Sequence, residues 1–229
     1  MGFFDKFRGK KGSWPWPNID SPIVRLEVEK AAVHEAGHAV VGRYFGLNVT
    51  QLSIRRRADI AGQVTTGLTR PRLRASMIPR SKRLAAGNPD SPHRGPEIGL
   101  RPRGFFDDEA SLHAELHLYL AGPAAQVIQF KSFEGWEQDR KTFYLLVSAY
   151  YGNLAGFISD RSSAFIEHRY WSSCKEILSK PEIWGWVKEV AKAALRSEHG
   201  VLTGEEIESL RPSRSLPPDR PASLLPGAA

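Results

Sequence analysis

Two histidines separated by three residues, with a glutamate directly after the first, form the segment His34-Glu35-Ala36-Gly37-His38. On a helix, residues four apart project from one face, so both imidazoles can share a metal ion, and zinc is typical of such a pair. Glu35 would take a proton from a metal-activated water and deliver it to a leaving amine. The segment therefore predicts zinc-assisted hydrolysis, and the alternative is a pair of core histidines satisfied by their neighbours.

The apolar spacing around this segment predicts a helix from about residue 27 to residue 45, which Gly46 is placed to end. One stripe at intervals of three and four contains Ala31, His34, His38, Val41 and Phe45. The two histidines interrupt a surface that otherwise faces a core. Buried imidazoles need polar partners, and a metal ion supplies one to each.

A third protein ligand must come from elsewhere in the chain, and we prefer Asp139. Three further residues share its helical stripe at spacings of four, three and four, namely Phe143, Leu146 and Tyr150. The carboxylate is therefore expected in the first turn of a helix, pointing to the buried side. The alternative is an acid favoured at this position by the helix dipole. Glu134 and Glu137 are the nearest rivals as ligands.

The rest of the pattern predicts a mainly α (α+β) fold with a small β element near the first helix. Short strands are expected at 49–54 and 63–66. Further helices are expected at 107–120, 123–131, 139–151, 160–178 and 181–198. Thr203 and Glu206 have the spacing of a capping box for a last short helix, and Ser179 and Glu182 have the same spacing.

A second histidine pair, His113 and His117, is also four residues apart. Glu115 is not placed as Glu35 is in the first pair, and no further ligand is evident nearby. We interpret this pair as the polar flank of an amphipathic helix, with a secondary metal site as the alternative.

The positive charge of the chain is concentrated in one segment. The 229 residues carry a net charge of +7, and residues 54–104 contain 12 basic residues against three acidic ones. Within it, residues 69–104 are rich in Pro and Gly and predict a loop. The segment has no aromatic residue for base stacking and no nucleic-acid-binding motif. We therefore expect a solvated loop and no nucleic-acid partner.

The length suits one domain with appendages, expected at residues 21–210. Residues 1–20 predict an extended basic and aromatic arm, capable of weak membrane-surface contact, and residues 211–229 predict a Pro-rich disordered tail. The single cysteine, Cys174, excludes an internal disulfide. With no apolar stretch long enough for a membrane span or a signal peptide, we expect a cytoplasmic protein.

The segment from Ala32 to Gly42 resembles the zinc-helix signature of the FtsH-type metalloproteases, whose peptidase domain is usually fused to an AAA ATPase. Weaker similarities to that peptidase domain follow at 49–54, 62–65, 120–126, 134–139 and 195–210. The resemblance covers about residues 25–210, and only the zinc helix is individually specific.

This resemblance implies a zinc ion held by His34, His38 and Asp139, with Glu35 as the catalytic base and a polypeptide as substrate. The chain departs from the family at Gln126, where an acid is usual, and at Pro123, where arginine is frequent. Compared with that family's peptidase domain, the basic loop 69–104 looks like an insertion. No Gly-rich phosphate loop is present, so we expect no ATPase in this chain.

The leading hypothesis is a stand-alone zinc metalloendopeptidase that cleaves unfolded or flexible proteins, with the substrate added as an extended strand beside residues 63–66. One alternative is a zinc-containing, non-catalytic binding module that uses its basic loop. Another is a peptidase subunit that depends on a separate AAA ATPase. The FtsH-type family often assembles in rings, so an oligomeric state of this chain is a further possibility.

Overall fold

The computed structural model describes residues 21–55, 62–66, 109–132, 134–155 and 160–212. The predicted arm 1–20, the basic loop 69–104 and the tail from residue 213 onward lie outside the described residues. None of the helices in the described part of the chain combines the length and the apolar character needed to cross a membrane.

Six helices and three short strands make up the described residues, so the expectation of a mainly α fold with a small β element is confirmed. In chain order they are α1 (Pro22–Tyr44), β1 (Val49–Ser53), β2 (Gln63–Thr66), α2 (Glu109–Phe130), α3 (Glu137–Ala155), α4 (Asp160–Ser179), α5 (Pro181–Arg196), β3 (Val201–Thr203) and α6 (Gly204–Ser209).

Helix α1 is the central element of the fold. It begins five residues earlier than predicted, because Ser21 stands at the N-cap and Pro22 occupies the first turn, where proline is well tolerated. It ends as predicted before Gly46, whose φ of +79° suits glycine and whose N–H donates to the Arg43 carbonyl. From residue 31 to residue 42 nearly every side chain is buried, since α2, α5 and the sheet surround the helix.

Helices α1 and α2 approach each other closely and run antiparallel. A Cβ atom at Gly37 would lie 2.7 Å from both the carbonyl oxygen of Ala121 and the Cβ of Ala125. One and a half turns further along α1, a Cβ atom at Gly42 would lie 2.7 Å from Leu118. Small residues on both helices therefore set the distance between them, and larger ones would push them apart.

Helix α2 is continuous over residues 109–130, which corrects the prediction of two helices at 107–120 and 123–131. Gly122 and Pro123 were expected to break it, since proline lacks the N–H that the carbonyl of Tyr119 would accept. The helix instead passes through Pro123 with every residue from 112 to 126 buried. Packing on all sides outweighs the local preference for a break.

The sheet has the strand order β2-β1-β3, with both pairs antiparallel. Leu52 of β1 lies opposite Val64 of β2 on one side and Leu202 of β3 on the other, and all three side chains are buried. The two predicted strands are confirmed, whereas β3 was not predicted. A three-residue strand carries little periodic signal, and it forms here because β1 offers it a partner.

The C-terminal part of the described chain is fixed by α5 and α6. The predicted capping box of α6 is present, because Thr203 Oγ1 accepts from the Glu206 N–H and the Glu206 carboxylate accepts from the Thr203 N–H. The capping box predicted for Ser179 and Glu182 is wrong. Lys180 is the N-cap of α5, and the Ser179 hydroxyl donates to the carbonyl of Glu176 within α4.

Candidate metal centre

Helix α1 and the first turn of α3 carry the four site residues predicted from the sequence. His34, Glu35 and His38 lie in the buried middle of α1, and Asp139 lies in the first turn of α3 with its side chain 20% exposed. The two helices reach the same place because both pack on α2. Residues more than one hundred positions apart in sequence thus meet at one point.

The donor atoms of the two histidines and Asp139 form a small triangle. Asp139 Oδ2 lies 3.0 Å from His34 Nε2 and 3.3 Å from His38 Nε2, and the two Nε2 atoms are 3.0 Å apart. Ligands about 2.05 Å from a tetrahedral zinc ion lie about 3.3 Å from one another. The triangle is therefore close to one face of such a tetrahedron, and this group could hold a metal ion.

The outer nitrogen of each imidazole has its own acceptor. His38 Nδ1 donates to the carbonyl oxygen of Leu118 at 2.5 Å, and His34 Nδ1 donates to Gln126 Oε1 at 3.1 Å. Both acceptors lie on α2, and Gln126 is buried. Because a proton on Nδ1 leaves the Nε2 atom of a neutral imidazole with a free lone pair, both rings present the tautomer that binds a metal.

The centre of the triangle requires positive charge. Burial alone raises the pKa of Asp139, but imidazoles that also carry a proton on Nε2 supply positive charge, first from His38, and hydrogen bonds that outweigh it, so the pKa lies well below its usual range. Asp139 is thus a carboxylate at neutral pH. A carboxylate oxygen and two nitrogen lone pairs repel one another at these distances unless a cation, either a metal ion or protons on the imidazoles, lies between them.

Two glycines leave room for the site. A Cβ atom at Gly122 of α2 would overlap the imidazole ring of His38. A Cβ atom at Gly62, the residue before β2, would lie 2.5 Å from Glu35 Cγ and 2.6 Å from Glu35 Oε1. The backbone at the start of β2 therefore lies directly against the Glu35 carboxylate, which places a sheet edge beside the candidate site.

The two rival acids are placed elsewhere. The Glu134 carboxylate accepts a hydrogen bond from Lys30 Nζ at 2.6 Å, and this pairing holds the pKa of Glu134 below its usual range. Glu137 is exposed on the first turn of α3. The same turn directs Asp139 inward, in line with the buried Phe143 and Leu146 of the predicted stripe. Of the three acids, only Asp139 reaches the histidines.

The second histidine pair is not a polar flank, which corrects the prediction. His113 and His117 are 1% and 2% exposed, and Glu115 between them is fully buried. They face α4, where His113 Nδ1 bonds with the Tyr170 hydroxyl and the Ser173 hydroxyl donates to His117 Nε2 at 3.0 Å. The signal was present in the sequence, because the residues around the pair are almost all apolar.

This pair is also not a second metal group among the described residues. His117 Nδ1 donates to the carbonyl of His113 at 2.7 Å, so both of its nitrogens have protein partners. Desolvation by burial is the main reason that the pKa of His117 is lowered to about 4, so the ring is neutral at pH 7. Within the described part of the chain, only His34, His38 and Asp139 form a group that could hold a metal ion.

Sequence reasoning missed the contribution of α2 to the site. It treated Gln126 only as a departure from a family pattern, although this side chain accepts from His34. Leu118, Gly122 and Gln126 are spaced by four, like His34 and His38. They therefore lie on one face of α2, which packs along the face of α1 that carries the two imidazoles. That matching interval was the available signal.

No model of a known protein family matches the sequence, and no curated protein matches it.

Proposed function

We propose that this protein is a zinc-dependent metalloendopeptidase that hydrolyses peptide bonds of unfolded or flexible proteins. The observation that carries the proposal is the triangle of His34 Nε2, His38 Nε2 and Asp139 Oδ2, with edges of 3.0 to 3.3 Å and both imidazoles in the metal-binding tautomer. The buried Glu35 directly follows His34 on the same helix. Together they supply three ligands and a proton acceptor.

The number of ligands favours catalysis over a purely structural role. Structural zinc sites are generally closed by four protein ligands, whereas catalytic sites use three and keep one position for water or substrate. The group found among the described residues has three members. Zinc bound there would lower the pKa of a coordinated water to about 7 and polarise a carbonyl oxygen.

Glu35 is the residue of this chain that would handle the proton. Its carboxylate lies against Gly62, so it stands between the ligand helix and the start of β2. Burial to 7% exposure keeps bulk water away from that carboxylate. A carboxylate in this position takes a proton from the attacking water and passes it to the leaving amine.

Strand β2 supports a polypeptide as the substrate. It lies at one edge of the sheet, since the strand order is β2-β1-β3, and its outer side faces no other strand among the described residues. An extended peptide can add to such an edge through main-chain hydrogen bonds, independently of its sequence. A substrate strand beside residues 63–66 would pass the Glu35 carboxylate near Gly62.

The test is cleavage of casein by the wild type, Glu35→Gln and Glu137→Gln, each loaded with zinc and assayed without ATP. The wild type and Glu137→Gln are expected to cut, because Glu137 is exposed and outside the triangle. Glu35→Gln is expected to keep its zinc, measured by elemental analysis, and to lose at least about 100-fold in kcat, as expected when a general base is removed.

Cleavage by Glu35→Gln at the wild-type rate would refute the assignment of the base. If all three proteins hold zinc and none cuts, the zinc-containing binding module is favoured instead. Recovery of cleavage when a separate AAA ATPase and ATP are added would then identify a peptidase subunit that depends on that partner.

A further inference from the structure

The position of Asp139 depends on how the first turn of α3 is held. Its two companions in the triangle share one buried helix, whereas Asp139 lies on a separate element that begins only two residues earlier, at Glu137. The connection before it contains Gly135 with a φ of +74°. Metal ligands must keep their distances to within about 0.2 Å, so something beyond this short connection has to fix the turn.

Arg140, the next residue, ties that turn to α4. Its Nε donates to Glu167 Oε1 at 2.8 Å and its Nη2 donates to Glu167 Oε2 at 3.0 Å, a two-pronged pairing that fixes both distance and orientation. The Tyr144 hydroxyl, one turn later on α3, donates to the same Glu167 carboxylate. Three donors from α3 thus converge on one carboxylate of α4.

Aromatic rings hold the guanidinium in place. Arg140 Cζ lies 5.0 Å from the centre of the Trp136 ring and 5.3 Å from that of Tyr144, so two rings flank the cation. Trp136 in turn lies 5.9 Å from Trp171 of α4, centre to centre. The guanidinium of Arg140 is therefore flanked by two aromatic rings while it pairs with Glu167.

Burial makes this pairing matter energetically. The Glu167 side chain is only 11% exposed, while that of Arg140 is 45% exposed. Removing the partner of a buried carboxylate leaves an uncompensated charge, which is costly. Helix α3 would then shift or rotate to let water or another donor reach Glu167.

Such a shift would be transmitted directly to the metal triangle. Consecutive helical residues point about 100° apart, so Asp139 faces the histidines of α1 while Arg140 faces α4. Both belong to the same turn and move together. Phe143, buried against Tyr170, is a further contact of α3 with α4 one turn after Asp139.

We propose that Arg140 and Glu167 are positioning residues, which hold Asp139 in ligating position, so that α4, which carries none of the three ligands, sets the metal affinity. This inference rests on the metal site of the proposed function. It assigns no chemistry to Arg140 itself, because the guanidinium acts only through the placement of Asp139.

The test is a double-mutant cycle on metal affinity with wild type, Arg140→Met, Asp139→Ala and the double variant. Competition with a chromophoric chelator gives the zinc dissociation constant, and cobalt(II) absorption reports a four-coordinate geometry. Arg140→Met is expected to weaken zinc binding about 10- to 100-fold, as loss of an outer-shell partner does. In the Asp139→Ala background the same change should add no more than about twofold.

Two further variants guard against a general effect on folding. Glu167→Gln removes the charge of the acceptor and is expected to weaken zinc binding in the same direction, with altered cobalt absorption. Lys192→Met removes a surface ion pair with Glu189 on α5 and should leave zinc binding unchanged. Circular dichroism of the metal-free proteins verifies that each variant is folded.

The outcomes separate this inference from the proposed function. If Asp139→Ala weakens zinc binding and neither Arg140→Met nor Glu167→Gln does, the positioning role is wrong and the metal site stands. If Arg140→Met weakens zinc binding equally in both backgrounds, its effect is not transmitted through Asp139, and the inference is overturned. If the wild type holds no zinc, the metal site and the positioning role are both wrong.

Discussion

Each imidazole of the candidate site is used at both of its nitrogens. One nitrogen faces Asp139, and the other donates to a neutral oxygen on α2, a main-chain carbonyl for His38 and the Gln126 amide for His34. The acceptors on α2 thus orient both rings and favour the tautomer that binds a metal. Among the three groups of the triangle, Asp139 contributes the negative charge, and its carboxylate therefore attracts a cation.

At this scale we expect Asp139→Ala to weaken zinc binding by more than the roughly 10- to 100-fold that an outer-shell change costs. The matched control is Glu137→Ala, two residues away in the same helical turn and exposed. Zinc content after dialysis against a weak chelator measures both. Equal zinc retention by Asp139→Ala and Glu137→Ala would remove Asp139 from the site.

At the scale of elements, the site depends on how closely α2 approaches α1. The face of α2 that follows the histidines contains a carbonyl, a glycine and an amide at intervals of four residues: Leu118, Gly122 and Gln126. Pro123 lies inside this stretch without ending the helix. Because Gly122 has no side chain, α2 can pack directly against the His38 ring, and the site depends on this contact.

We expect Gly122→Ala to destabilise the fold by about 1–3 kcal/mol and to lower zinc affinity, because the new methyl group would overlap the His38 ring. Gly185→Ala is the matched control, since among the described residues no atom outside its chain neighbours and the nearby backbone of α5 lies within 4 Å of its Cβ position. That change should raise stability by about 0.5–1 kcal/mol through helix propensity.

Urea unfolding of the metal-free proteins gives both free energies, and cobalt absorption reports the site. A Gly122→Ala protein as stable as Gly185→Ala, with an unchanged cobalt spectrum, would contradict the close packing of α2 on His38.

At the scale of the whole molecule, a buried polar group joins α2 to α4 outside the metal site. The pKa of His117 is lowered from the ordinary 6.5 to about 4, mainly by desolvation, so the ring is neutral in the fold at pH 7. Its hydrogen bond to the His113 carbonyl raises the pKa, and the nearby His113 ring lowers it further. Ser173 and Phe45 also contact the His117 ring. Protonation of His117 at low pH therefore disfavours the folded state.

Because its pKa is lower in the folded state than in the unfolded chain, the unfolded chain binds more protons between pH 6.5 and pH 4. His117 should therefore cost the fold about 3 kcal/mol of stability as the pH falls through that window. His117→Gln does not titrate there, so its free energy of unfolding should depend less on pH. Urea unfolding at pH 7, 5.5 and 4.5 in the presence of a chelator gives the free energy of unfolding of both proteins. Contributions from the metal-site residues are common to both and cancel in the difference. Parallel pH dependences would disprove this role of His117.

Much of the ligand helix was predictable from sequence, because its signals are local. The interval of four between His34 and His38 fixes their common face through helix geometry alone, and Gly46 marks the end of the helix through its own backbone freedom. The capping box at Thr203 and the stripe that turns Asp139 inward are local in the same sense. Patterns within two or three turns of one helix thus carried the prediction of the site residues.

What only the tertiary structure decided are the contacts between elements far apart in sequence. Asp139 is distinguished from Glu134 and Glu137 by its contact with His34, which lies 105 residues earlier in the chain and is reached only through the packing of the helices. The role of Gln126, the burial of the second histidine pair and the pairing of β3 with β1 likewise depend on which faces pack together. The physical reason is that side-chain periodicity records which face of an element is buried, while the partner that buries it is fixed by packing across the whole fold.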